Sequence, residues 1–186
     1  MKQRWIYFVL LPLTAIVVLE VLQLRNIRSI QGGRSDKEGF LPMVYENQVY
    51  QASMTDGQDV FNPLFLAELR RRHVDRPVLV FRYSGLSCKA CVQSCLNALR
   101  RLYPDFESNS RIVTVISDAD PSQLLPNCVS LPAGETLGYD LEGTRIPHFF
   151  VYDSNRQQIL HTFVPDQSAP NALRLYLNSI AGRYAI

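Results

Sequence analysis

The chain has 186 residues, of which 47% are hydrophobic and 19% charged. That length and mixture exclude a disordered chain and allow one globular domain with an appendage. A net charge of +2 provides no electrostatic basis for nucleic-acid binding.

The first 24 residues differ from the rest. "WIYFVLLPLTAIVVLEVLQL", Trp5 to Leu24, carries one charge, Glu20. Twenty helical residues rise about 30 Å, the thickness of a bilayer's hydrocarbon core. The run is longer than the apolar region of a usual signal peptide, and no small-x-small cleavage site follows it. It reads as an uncleaved single-pass signal anchor over residues 1–24. Lys2 and Arg4 lie on one side of it, and Arg25, Arg28, Arg34 and Lys37 on the other, so charge alone does not orient it. A short N-terminal tail with the bulk of the chain translocated is the arrangement adopted. Residues 25–39, "RNIRSIQGGRSDKEG", are polar and contain glycine, and read as a tether. Residues 40–186 form the predicted domain.

"MVYENQVYQA" alternates loosely and is expected to be a strand or an extended arm. In "FNPLFLAELRRR", Asn62 is placed to cap a helix whose first residue is Pro63. "RPVLVFRYS" has the apolar, β-rich pattern of a buried strand. The tight loop "GLS" follows, then Cys88, Cys91 and Cys95, and an amphipathic helix through Leu102 that stops at Tyr103-Pro104. The basic clusters Arg70–Arg71–Arg72 and Arg100–Arg101 end predicted helices, where cations suit the negative pole of the dipole.

"RIVTVISD" is a second buried-strand pattern, and a short helical turn is expected from Asp120. The segment from Asn127 to Arg145, with Cys128, is expected to be irregular. "PHFFVYD" and "QILHTFV" make a hairpin through "SNRQ". "SAPNALRLYLNSIAGRYA" is expected to be a capped amphipathic helix with Leu173, Leu177 and Ile180 on one face. The first two strands flank a helix and should be parallel, while the last two are antiparallel. This α/β order predicts a mixed central sheet with helices on both faces.

The cysteines admit three readings: redox thiols, metal ligands or structural staples. Cys88 falls at a helix N-terminus, where free amides and the helix dipole favour a thiolate, and Lys89 adds positive charge beside it. Cys91 lies one turn deeper, so the two sulfurs can close a small ring. The first thiol is the expected nucleophile and the second the resolving thiol. Zinc needs four ligands, and Cys88, Cys91 and Cys95 with Cys128 or a histidine would make the number. Zinc knuckles, however, place ligand pairs on separate loops, whereas Cys95 lies inside the helix; no metal site is predicted. Cys95 reads as a small buried hydrophobe or, with Cys128, as a second thiol pair. His148 is a candidate to tune the Cys88 thiolate. His73 and His161 read as surface residues, and Phe149, Phe150 and Tyr152 as core.

On "SCKAC", Ser87 to Cys91, between a strand and a helix, and on "TRIPHFFVYD", Thr144 to Asp153, the chain resembles the thioredoxin-like superfamily. It is most similar to the membrane-anchored, extracytoplasmic thiol–disulfide oxidoreductases and redoxin-type proteins of bacteria. The resemblance spans roughly Asn62 to Arg183. It implies a thioredoxin-like fold behind an N-terminal transmembrane helix, held at the cytoplasmic (inner) membrane. It also implies disulfide exchange with protein substrates, an unidentified redox partner and no bound cofactor. Cys88 would be the nucleophile, Cys91 the resolving thiol, and Ile146-Pro147 the substrate groove, with a cis bond before Pro147. The extra length between Cys88 and Pro147 resembles the redoxin-type insertion.

The sequence departs from the pattern in three places. Ser87 replaces the usual Trp, Lys89 and Ala90 stand between the cysteines without a proline, and Arg82 occupies the position of a buried acid. A peroxiredoxin signature fails, because Gly85 stands where Thr or Ser is required. The alternative of another class is a non-catalytic thioredoxin-like binding or scaffold module with structural or metal-binding cysteines.

Overall fold

The computed structural model describes residues 46–186 except Pro121 and Gln123. The expected membrane helix and tether lie outside the described residues. Within them, no helix is long and apolar enough to cross a membrane.

A helix over residues 46–53 (α1) leads to α2, Pro63–Arg71. There follow β1 Val78–Ser84, α3 Lys89–Leu102, β2 Ile112–Ser117, β3 Cys128–Leu131, a 3-10 turn Asp140–Thr144, β4 His148–Asp153, β5 Gln158–Phe163 and α4 Pro170–Tyr184. The strands form one mixed sheet in the order β3-β2-β1-β4-β5. β1 pairs parallel with β2 because α3 carries the chain back across the sheet, and antiparallel with β4. β4 and β5 form the expected hairpin.

β1 is the spine. All seven of its residues are buried, as suits a central strand covered on both faces. Alternation sends Val78 and Val80 to one side, where Phe65 and Leu69 of α2 pack with Val113, Val115, Phe150 and Tyr152. Leu79 and Phe81 face the other side, where Cys95, Leu96 and Leu99 of α3 meet Leu173, Leu177 and Ile180 of α4. Full burial of each large apolar side chain stabilises the fold by about 1.5–3 kcal/mol.

Local chemistry sets the helix starts. Asn62 Oδ1 accepts from the amides of Leu64 and Phe65 at 3.0 and 3.1 Å, and Pro63 needs no amide partner. The Asn62 side-chain amide donates to the Thr136 carbonyl at 2.9 Å, so one residue caps a helix and anchors a distant loop. α4 begins after Ala169 without a side-chain cap; Pro170 opens it.

Three expectations are corrected. "MVYENQVYQA" contributes no strand among its described residues; it enters α1. Gln48 of that helix exchanges hydrogen bonds with both the N–H and the C=O of Val164, just beyond β5, as a neighbouring strand would. The segment from Asn127 to Arg145 is not irregular throughout, since β3 extends the sheet by parallel pairing with β2. Four residues between Pro126 and Pro132 carry too little local pattern to announce a strand; the exposed ladder of β2 makes it one. His161 is half-buried rather than on the surface, and its ring meets the Tyr184 hydroxyl at 2.7 Å.

Candidate functional site

The loop from β1 to α3 is pinned at each residue. Gly85 N donates to the Ser117 carbonyl at 2.7 Å, and Leu86 N to Ser84 Oγ at 3.1 Å. Ser87 Oγ accepts from the Ser84 amide at 3.0 Å and donates to the Arg145 carbonyl at 2.8 Å. That last bond joins the two motifs on which the resemblance rests, "SCKAC" and "TRIPH".

Cys88 is the N-cap of α3. It is exposed, and its sulfur accepts from the Cys91 amide at 3.4 Å. Its pKa is lowered from the ordinary thiol value, first by a hydrogen bond from the Cys91 thiol and then by the Cys91 and Ala90 amides. Cys91 shifts the other way. Its bond to Cys88 raises its pKa most, followed by burial and the charge on Cys88. The pair therefore loses its first proton from the outer sulfur and holds the second on the inner one. Gln167, in the loop between β5 and α4, opposes that shift: its side-chain Nε2 donates to Cys91 Sγ at 3.0 Å. Lys89 is exposed at the first turn of α3.

Cys95 is buried, and its thiol is pushed up to about 12 by burial and then by the charge of Cys91. It borders a groove between α3 and α4. Cys128 stands on the edge strand β3; burial raises its pKa most, opposed by Thr114. All four cysteines are free thiols, and Cys95 and Cys128 belong to the same apolar cluster. Among the described residues, no three His, Cys, Asp or Glu side chains gather as metal ligands.

The groove motif differs from its expectation. Among the described residues no peptide bond is cis, so the Ile146–Pro147 bond is trans. The chain turns into β4 through Arg145, which takes the left-handed conformation at φ 54°. Ile146 is exposed and Pro147 buried.

His148 does not approach the cysteines. It opposes Arg82 in the β1–β4 ladder, and alternation turns it to the face covered by α2, while Phe149 faces α3 and α4. Nδ1 donates to the Ile146 carbonyl at 2.7 Å, which leaves Nε2 to accept from the Tyr139 hydroxyl at 2.6 Å. Burial brings its pKa down to about 4, and the charge of Arg82 pushes the same way. The imidazole is therefore neutral at pH 7, and it tunes no thiolate through contact.

Two residues beyond those read from sequence hold this region. Gln167 lies in a loop that the sequence marks only as a connection. Glu142 forms a buried ion pair with Arg82, and its carboxylate also accepts from the amides of Leu137 and Gly138. Arg82 Nη2 donates to Ser117 Oγ at 3.0 Å, and Nη1 to the Tyr83 carbonyl. An arginine inside a fully buried strand is itself a signal that an acid must lie nearby, though sequence does not say which. Comparison with protein-family models, curated proteins and solved structures returns no significant match.

Proposed function

We propose that this chain is a thiol–disulfide oxidoreductase of thioredoxin-like fold, anchored by residues 1–24 in the cytoplasmic membrane. Its domain stands on the extracytoplasmic side and exchanges disulfides with proteins through Cys88 and Cys91. The observation that carries the reading is the asymmetry of the pair. An exposed, lowered-pKa Cys88 caps a helix, and a half-buried, raised-pKa Cys91 lies one turn behind it. That division of roles is what exchange requires. The strand order supports the fold assignment: β2-β1-β4-β5 has the parallel first pair and antiparallel last pair that the resemblance implies, with β3 added in the insertion.

In the reduced protein the Cys88 thiolate attacks one sulfur of a substrate disulfide. A Cys88–substrate disulfide forms, and the other substrate sulfur leaves as a thiolate that takes up a proton. Cys91 loses its proton, attacks Cys88 Sγ and releases the second substrate thiolate. Two electrons have moved to the substrate, and a partner of matching potential restores the pair. Gln167 stabilises the Cys91 thiolate during the second step. Ile146 and Pro147, which follow the Arg145 carbonyl that Ser87 holds, form the substrate groove in this reading.

A redox titration tests this reading. The full chain is equilibrated in graded thiol buffers and alkylated, and each cysteine is read by peptide mass spectrometry. Cys88 and Cys91 should titrate together as a two-electron couple, with Cys88 alkylating at the lower pH. Thiols that never pair, or that react only after a chelator is added, would put a scaffold or metal site in its place.

A further inference from the structure

The two helices beside the thiols carry charges of one sign only. α3 carries Lys89, Arg100 and Arg101, and α4 carries Arg174 and Arg183; neither helix contains an acidic residue. The groove between them, about 590 Å³, begins at Cys91 and Gln167 and is bordered farther along by Arg101 and Arg174. Arg100 is engaged by Glu107 at 3.2 Å. Among the described residues Arg101 and Arg174 have no ion-pair partner. Among the described residues Asp166 is the one acid bordering the groove, and its Oδ1 accepts from the Ser168 amide at 2.8 Å and from the Ser168 hydroxyl. Two exposed guanidinium groups thus stand in a channel leading from the redox pair, in a protein whose net charge is only +2.

From this charge distribution we infer that the groove receives an extended acidic peptide segment of the protein whose disulfide is exchanged. The inference rests on the oxidoreductase reading and adds the class of its substrate. Guanidinium groups bind carboxylates through paired hydrogen bonds, and a groove in which two cations outnumber one carboxylate raises the encounter rate with anionic segments. The spacing sets the register. Thirteen residues along α3 separate its N-cap Cys88 from Arg101, about 20 Å at 1.5 Å per residue. An extended chain covers that span in roughly five to six residues. The substrate's Asp or Glu therefore lies about five to six residues from its cysteine. The sulfur bonds to Cys88, and the chain runs past Cys91 and Gln167 towards Arg101 and Arg174. The exchange is the one balanced above, with two electrons passing from the thiol pair to the peptide disulfide.

The test uses the full chain in non-ionic detergent, reduced, with symmetric disulfide-linked peptide dimers. Each peptide has Glu, Gln or Lys at the fifth and sixth residues from its cysteine, on either side. At low ionic strength the Glu peptide should oxidise the protein about tenfold faster than the Lys peptide, and the gap should close at high salt. The double variant Arg101→Glu/Arg174→Glu should reverse the order. Equal rates for the three peptides at low salt, or an unchanged order in the double variant, overturn the inference while leaving the oxidoreductase reading intact. A second measurement follows binding of the Glu peptide with its cysteine replaced by serine, using fluorescence anisotropy. If no peptide is oxidised, the redox reading falls and this binding decides the groove. Salt-sensitive binding lost in the double variant upholds the groove as an acidic-peptide site without the exchange step, and absence of binding overturns the inference.

Discussion

Gln167 Nε2 donates to Cys91 Sγ across 3.0 Å, from a loop 76 residues away in the chain. Among the described residues this bond is the one influence from a distant segment that favours the Cys91 thiolate, against Cys88 and burial. Replacing Gln167 with Ala should move the alkylation profile of Cys91 to higher pH and leave that of Cys88 nearly in place. The second chemical step should slow several-fold, so the mixed disulfide with substrate should accumulate. Quenched-flow trapping with mass spectrometry reads both quantities. A Cys91 profile that stays put would show that the bond carries no weight.

The lowered pKa of Cys88 has its largest cause in the Cys91 thiol. Cys91→Ala removes that donor and leaves the backbone amides. Alkylation of Cys88 in this variant should need a higher pH than in the parent, yet remain easier than for an ordinary thiol. Rates of iodoacetamide reaction from pH 5 to 10 check it. An unshifted curve would assign the lowering to the helix terminus alone.

His148 is neutral and buried, with a pKa brought from 6.5 to about 4. Below pH 6.5 the unfolded chain takes up a proton that the folded chain refuses. Stability is therefore complete above that pH and declines as pH falls towards 4. The loss from this one group approaches about 3 kcal/mol. Urea unfolding at pH 7.5 and 4.5 should show the decline, and His148→Gln should flatten it. An equally steep decline in the variant would place the effect elsewhere.

Arg82→Met should leave the Glu142 carboxylate buried and without its cation, at a cost of about 3–5 kcal/mol. Adding Glu142→Gln should recover part of that loss, because the amide oxygen can still accept from Leu137 and Gly138. A double-mutant cycle by urea denaturation measures the coupling. Strict additivity of the two changes would mean that the pair does not act as a unit.

Periodicity and capping are local, so they are legible one segment at a time. Asn62-Pro63 announces α2, the apolar runs announce β1 and β2, and the position of Cys88 at the start of α3 follows from the strand and loop before it. The hairpin of β4 and β5 and the buried face Leu173–Leu177–Ile180 are also local patterns. Pairing across the chain is not legible in that way. β3 becomes a strand because β2 offers it an edge, and Gln48 reaches Val164 only after the sheet exists. The choice of face is also tertiary. One step of strand alternation sends His148 away from the cysteines and towards Arg82, Glu142 and Tyr139. The cysteine pair and its place at a helix terminus were thus set by sequence. Its hydrogen-bond partner Gln167, the trans entry into β4 and the basic groove beside it were decided by the packing of distant segments. Such contacts form only when burial of the two cores outweighs the entropy of bringing the segments together.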